Sequence, residues 1–132
     1  MTSSHHDFVA LARRLADSGA KAKAPAVLVG RSGARHEFAL AVQSQRGGAK
    51  VVVDTVLSLK GVEDVQVLSF YAKVFDLSPE HALLCVSPHL GPSGKELADE
   101  YNITVLENEA PKMLVPMAAK YIEGVLKGNR TK

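Results

Sequence analysis

Hydrophobic residues recur along this chain with two periods, which separate the predicted strands from the predicted helices. Within residues 36–43 every second residue has a large apolar side chain, so that these side chains share one face. This pattern is typical of a strand with one face on a core. Residues 62–76 place apolar side chains three and four positions apart, which is typical of an amphipathic helix. The stripe predicted to be buried in that helix consists of Val65, Leu68, Ala72 and Phe75, widened by Phe70 and Val74.

Over the whole chain these patterns predict a single domain, residues 1–132, with four helices and five strands. The predicted helices cover about 5–18, 62–76, 93–102 and 116–128, and the predicted strands cover 26–29, 36–43, 49–58, 82–86 and 103–106. The early strands follow one another through short turns and should be antiparallel, whereas the later strand–helix–strand unit needs a parallel crossover. The fold class is therefore α/β, with a mixed sheet of about five strands flanked by helices in the order α-β-β-β-α-β-α-β-α.

The segment 49–58 is predicted to be the central strand, and it contains one residue that does not belong in an apolar interior. Val51, Val52 and Val53 form a continuous apolar run, which favours a strand covered on both faces. Asp54 follows them directly. A buried carboxylate is costly unless it is paired, hydrogen-bonded or bound to a metal. We therefore expect Asp54 either to have a partner inside the fold or to lie in a polar cleft.

Composition narrows the class of protein without identifying its function. The chain has 132 residues, 46% hydrophobic and 23% charged, and its formal net charge of +2 is too small to indicate nucleic-acid binding by itself. A single cysteine, Cys85, excludes an internal disulfide and suits a reducing compartment. No run approaches the ~20 apolar residues of a membrane span, and the N-terminus shows no secretory pattern. A cytoplasmic protein without membrane contact is expected.

One stretch runs from the segment 81–87 through Ser93-Gly94-Lys95-Glu96-Leu97-Ala98 to the segment 101–106. It resembles the Mrr-like branch of the restriction-endonuclease-like, or PD-(D/E)xK, nuclease superfamily. The beginning of the first helix and the segment 30–38 are also similar, so that the resemblance covers roughly residues 5–110. It implies a restriction-endonuclease-like core.

The resemblance also implies where a catalytic site should lie. The family uses an Asp on its second strand and an acid-x-Lys pair on its third, which hold a divalent metal and position the attacking water. In this sequence Asp54 matches the acid of the pair and is the one candidate metal ligand, but Ala39 and Val56 occupy the expected Asp and Lys positions. Glu37 can replace the missing acid. No cofactor is expected from this degenerate site, and Mg²⁺ is expected only if the site is active.

Displaced positive charges and two turns are the remaining candidates for binding nucleic acid or a small anion. Lys50 and Lys60 lie near the ends of the central strand, where either can supply a displaced lysine. The turn Gly30-Arg31-Ser32-Gly33, together with Arg35, offers backbone N–H groups and guanidinium groups to a phosphate. Ser93 and Lys95 lie at the predicted start of a helix, in a capping-box spacing, where the free N–H groups favour an anion.

These observations leave several functions open. The favoured hypothesis is a catalytically degenerate restriction-endonuclease-like domain that binds nucleic acid or a protein partner, in a homo-oligomer. A second is an active metal-dependent DNA endonuclease with a rearranged site that uses Asp54 and Glu37. A third, from another class, is a small α/β module that binds an anion or nucleotide at residues 93–95. A fourth is an oligomeric scaffold subunit without a site, because a fold does not by itself determine a function.

Overall fold

The computed structural model describes residues 3–45 and 47–130, which form a mixed sheet with helices on both faces. Its elements are α1 (Ser3–Asp17), β1 (Lys21–Lys23), β2 (Ala26–Val29), β3 (Arg35–Phe38), β4 (Leu40–Gln43), β5 (Ala49–Leu57), α2 (Asp64–Leu77), β6 (His81–Ser87), α3 (Pro92–Glu100), β7 (Ile103–Glu107) and α4 (Leu114–Arg130). A single turn of 3-10 helix, Pro111–Met113, precedes α4. The predicted class, a mixed α/β fold with a five-stranded sheet, is confirmed.

The main sheet has the strand order β1-β4-β5-β6-β7. β5 is its central strand, antiparallel to β4 and parallel to β6, and β6 is parallel to β7. The prediction for the valine run is confirmed, because Val51, Val52 and Val53 are fully buried. A strand covered on both faces needs no polar alternation, which explains the continuous run.

The two faces of the sheet pack against different pairs of helices. On one face, Val51 and Val53 pack with apolar residues of α1 and α4, such as Phe8 and Ile122. On the other face, Val52 packs with apolar residues of α2 and α3, such as Phe70 and Ala98. Since side chains alternate along β5, the next residue on the α2 face after Val52 is Asp54.

The segment 36–43, predicted to be one strand, forms two strands that separate at Ala39. β3 pairs with β2 in a separate two-stranded sheet, while β4 pairs with β5 in the main sheet. The alternation breaks at the same point, because Phe38 packs on the α2 face whereas Leu40 and Val42 pack on the α1 face. Residues 21–23, which lie outside the predicted strands, form the three-residue edge strand β1, so that the chain has five strands before α2 instead of three.

The buried face of α2 differs from the predicted stripe. Val65, Leu68 and Phe75 are 59%, 44% and 63% exposed, whereas Val67 and Phe70 are buried. The sequence of this helix is apolar around most of its circumference, and such a pattern is compatible with more than one orientation. Packing against the sheet selects the orientation.

The third helix begins earlier than its sequence pattern suggests. Gly91 is the N-cap residue and Pro92 occupies the first turn, where its missing N–H costs nothing. The Ser93 hydroxyl donates to the Asp64 carboxylate at 2.8 Å instead of capping its own helix. The predicted capping box at residues 93–96 is therefore wrong.

Candidate functional site

Asp54 lies at the point where the hairpin β2–β3 departs from the main sheet. Leu40 pairs with Val53, so that Ala39 comes opposite Asp54 at the next position. The Ala39 N–H donates to Asp54 Oδ1 at 3.1 Å, which takes this amide out of the strand ladder. The carboxylate therefore satisfies the backbone donor that the departing strand leaves without a partner.

The second carboxylate oxygen of Asp54 is bound by a lysine from α2. Lys73 Nζ donates to Asp54 Oδ2 at 2.5 Å and to the Glu37 carbonyl oxygen at 2.7 Å. The ammonium group also lies 4.5 Å from the centroid of the Phe38 ring, which adds a cation–π attraction. We call this arrangement the Asp54 site: Asp54, Lys73, the backbone of Glu37 and Ala39, and the Phe38 ring. Asp54 thus has the partner that its position demands.

Burial raises the pKa of the Asp54 carboxyl group above its ordinary value. The hydrogen bond and the charge of Lys73 and the Ala39 N–H oppose this effect, whereas the negative charge of Glu37 adds to it. The side chains of Asp54 and Lys73 are 23% and 26% exposed, so that solvent screens their attraction only partly. In this ion pair, desolvation therefore raises the pKa of Asp54 by more than Lys73 and the Ala39 N–H lower it.

The side chains of the other residues predicted for the catalytic constellation do not make hydrogen bonds with Asp54. Glu37 is exposed and contributes its carbonyl group, while Ala39 is buried with the apolar residues of the opposite face. Val56 lies on the same face as Asp54 and is half-buried. Within the described residues, no three His, Cys, Asp or Glu side chains are grouped so that they could hold a metal ion.

The lysine beside Asp54 is not among the residues predicted from the sequence. Lys50 pairs with Glu80 at 3.4 Å near the start of β5, and Lys60 is exposed in the loop beyond its end. Lys73 takes the position beside Asp54 instead. The signal available in the sequence is that Lys73 is the only basic residue in the helix Asp64–Leu77, where it lies three positions after the buried Phe70.

The turn predicted to hold a phosphate is bound to the C-terminal end of α2. The Ser32 N–H and hydroxyl donate to the Asp76 carboxylate at 2.9 and 2.7 Å, and His36 contacts the same carboxylate at 2.8 Å. Arg31 donates to the Phe75 carbonyl and the Ser78 hydroxyl. The lack of a side chain at Gly30 permits the close approach of Asp76 to the turn, because a Cβ at this position would lie 2.0 Å from an Asp76 oxygen. The carboxylate of Asp76 thus occupies the turn.

Because the Asp76 carboxylate holds the turn to α2, this attachment should lose stability at acidic pH. The hydrogen bonds from His36 and Ser32 lower the pKa of the Asp76 carboxyl group from 3.8 to about 2. A carboxyl group whose pKa is lowered by folding stabilises the folded protein at any pH above its ordinary pKa. This stability is lost as the pH falls through the pKa of the folded state. We therefore expect the stability measured by urea unfolding to fall between pH 4 and pH 2, and Asp76→Asn to make this decline shallower. Asp17→Asn, at an exposed carboxylate on α1, is the matched control, and an equal effect of both substitutions would contradict the assignment.

The remaining candidate residues for binding an anion lie on the hairpin and in the first turn of α3. Arg35 is exposed on the hairpin. Ser93 contacts Asp64, and Lys95 Nζ lies 3.4 Å from a Glu107 carboxylate oxygen. The structure therefore places Ser93 and Lys95 beside carboxylates of the same chain.

Comparisons with known proteins place the fold among structures of unassigned function. No protein-family model matches the chain, and no curated protein is similar to it. The "Crystal Structure of Protein of Unknown Function AF1548" matches with a TM-score of 0.60 and 13% identity, over 77% of this chain and 56% of that chain. The "Crystal structure of protein VC1899 from Vibrio cholerae" matches with a TM-score of 0.60 and 12% identity, over 88% of this chain and 32% of that chain.

These matches show the fold alone, since their identities are low and this chain spans only part of either protein's length. The "Structure of EndoMS in apo form" also matches, at a TM-score of 0.35, 20% identity, 55% of this chain and 33% of that chain, a similarity too low to support any argument. Among the described residues, none of the helices has the length and apolar character needed to cross a membrane.

Proposed function

We propose that this chain is a restriction-endonuclease-like domain of the Mrr type that binds a protein partner and does not hydrolyse nucleic acid. The observation that carries the proposal is the occupation of both Asp54 oxygens by groups of the same chain. Lys73 donates to one oxygen and the Ala39 N–H donates to the other. The two structures that match with a TM-score of 0.60 show that this mixed α/β fold occurs in other proteins.

The residues of the Asp54 site do not fit a divalent cation. A Mg²⁺ site is built from several oxygen ligands, with at least one carboxylate free to coordinate the ion. Here the Lys73 ammonium lies where a cation beside Asp54 would lie, and Ala39 has its methyl group in the core of the opposite face. Asp54 and Lys73 instead fix the departing hairpin to α2. We derive no hydrolytic step from this arrangement.

Exposed apolar side chains on the two elements that Lys73 joins favour a protein as the partner. Val65, Leu68 and Phe75 on α2 are large apolar side chains exposed to solvent, and Val27 and Val29 on the hairpin are 58% and 62% exposed. A protein partner can cover such side chains, whereas nucleic-acid binding depends on cations that neutralise phosphates. Arg31 contacts α2 and Lys73 contacts Asp54, so that these two cations are engaged within the chain.

A cleavage assay tests the first part of this proposal. We expect no cleavage of plasmid, linear or single-stranded DNA in Mg²⁺ or Mn²⁺ beyond the background of an Asp54→Asn variant prepared in parallel. The reason is that a metal ion would have to displace both intramolecular donors from Asp54. Metal-dependent cleavage by the natural protein that disappears in Asp54→Asn would overturn the proposal in favour of an active nuclease.

A salt titration tests the second part. Binding to DNA or RNA through phosphates weakens steeply with salt, because each neutralised phosphate releases counterions. We expect no mobility shift of single- or double-stranded DNA or RNA at 150 mM salt, a condition under which phosphate contacts already weaken. A specific, salt-dependent shift that Lys73→Met leaves unchanged would indicate a nucleic-acid partner instead of a protein.

A further inference from the structure

The two edges of the main sheet differ in a way that the Asp54 site does not explain. β1, at one edge, has three residues, Lys21-Ala22-Lys23, and both lysines are exposed. Short, lysine-bearing edge strands are a common protection against pairing with another chain. β7, at the other edge, has the sequence Ile103-Thr104-Val105-Leu106-Glu107, with three β-branched residues and neither lysine nor proline. This edge lacks the usual protection.

The outer side of β7 offers backbone groups and space for another strand. Its register with β6 runs from Ala82–Ile103 to Val86–Glu107, and among the described strands β6 is its only partner. Alternate N–H and C=O groups of β7 therefore point away from the sheet without a strand to receive them. A cavity of about 550 Å³ lies beside β7 and is lined also by Lys95 and Asp99 of α3 and by Asn102 of the turn that joins the two elements.

We propose that β7 pairs antiparallel with β7 of a second copy of this chain, which joins two five-stranded sheets into one of ten strands. A two-fold axis at Val105 places Val105 of one copy opposite Val105 of the other, and Thr104 opposite Leu106. Such pairing is self-complementary, as a symmetric dimer requires. It goes beyond the proposed function, because it is independent of what the Asp54 site does.

The charges beside the strand suit this arrangement. Lys95 lies near the Glu107 end of β7, with the two side chains 3.4 Å apart, while Asp99 lies one helical turn further along α3, toward the Ile103 end. Antiparallel pairing keeps both α3 helices on the same face of the joined sheet and reverses their direction. Lys95 of each copy then faces Asp99 of the other, so that opposite charges meet on both sides of the axis.

Charge exchange at these two exposed positions tests the pairing without disturbing the core. In sedimentation equilibrium of the full chain we expect a concentration-dependent dimer. Lys95→Asp or Asp99→Lys should weaken it about tenfold, because each brings like charges together. The double variant Lys95→Asp/Asp99→Lys should restore it.

The control is Lys60→Asp, at an exposed lysine outside β7 and α3, which should leave the dimer unchanged. Circular dichroism checks that every variant is folded.

Hydrogen exchange supplies a second, independent measurement. Amides of β7 should become protected as the protein concentration rises, whereas amides of β1, the other edge, should not. A monomer at all concentrations up to 200 µM would overturn the proposal, and so would a dimer that both single charge variants leave intact. Protection of β7 that appears only when a peptide from another protein is added would assign the edge to a different partner and would also overturn it.

Discussion

Asp54→Ala is expected to lower the free energy of unfolding by about 2 kcal/mol, since it leaves the Lys73 ammonium group and the Ala39 N–H without their acceptor. The substitution deletes both oxygens that receive these hydrogen bonds, so that the loss reports the missing acceptor. Lys73→Met should cost a similar amount, because it leaves the half-buried carboxylate without its cation. The double variant should lose less than the sum of the two, with a coupling energy of about 1–2 kcal/mol in a double-mutant cycle measured by urea unfolding.

The pH dependence of these variants separates the pair from general damage to the fold. The pKa of Asp54 is raised above 3.8, so that the folded protein holds this proton more tightly than the unfolded chain. Stability from this group is therefore complete below pH 4 and declines as the pH rises through the folded value. The decline should be larger in Lys73→Met, where the opposing cation is gone, and absent in Asp54→Ala, which has no carboxyl group at this position. Additive losses, or equal pH profiles in all variants, would contradict the coupling.

Phe38→Ala is expected to lower the free energy of unfolding by about 3–5 kcal/mol, the range for removing a buried aromatic ring. Phe38 is 1% exposed and packs edge to face on Phe70, with ring centroids 6.2 Å apart. It also lies beneath the Lys73 ammonium group. Its loss should therefore release the hairpin from α2 as well as leave a cavity, and urea unfolding together with hydrogen exchange of the β2–β3 amides measures both effects.

Val27→Ala on the same hairpin is the matched control. Val27 lies on the exposed side of β2, at 58% exposure, so that its truncation should change stability by no more than about 0.5 kcal/mol. Phe38→Leu should fall between the two, because it keeps apolar volume but removes the ring face that Lys73 contacts. A Phe38→Ala variant as stable as Val27→Ala would show that the hairpin does not depend on this contact.

Much of the fold could be predicted from local patterns. The central strand was found from its valine run, and the parallel unit from β5 to β7 follows from strands separated by a helix. The strand break at Ala39 was missed, because residues 36–43 alternate without interruption in sequence. At the break the Ala39 N–H is received by the side chain of Asp54, fifteen positions away, and a local pattern cannot reveal such a contact.

The candidate site was predicted only in part for the same reason. Asp54 was recognised because a carboxylate in an apolar run must have a partner. Lys73 was not recognised, since its helix is apolar on nearly every side and the sequence favoured a buried stripe through Val65, Leu68 and Phe75. The orientation that buries Val67 and Phe70 is also the one that brings Lys73 over β5.

By itself the sequence determined the class of fold, the identity of the central strand and the need for a partner at Asp54. Those conclusions depend on side-chain periodicity and on the cost of burying charge, which are local properties. Only the tertiary structure decided that the partner is Lys73, that the hairpin leaves the sheet at Ala39, and that β1 and β7 are the edge strands. Each of these depends on how a helix or a hairpin is rotated against the sheet, and that rotation is set by contacts between residues distant in the chain.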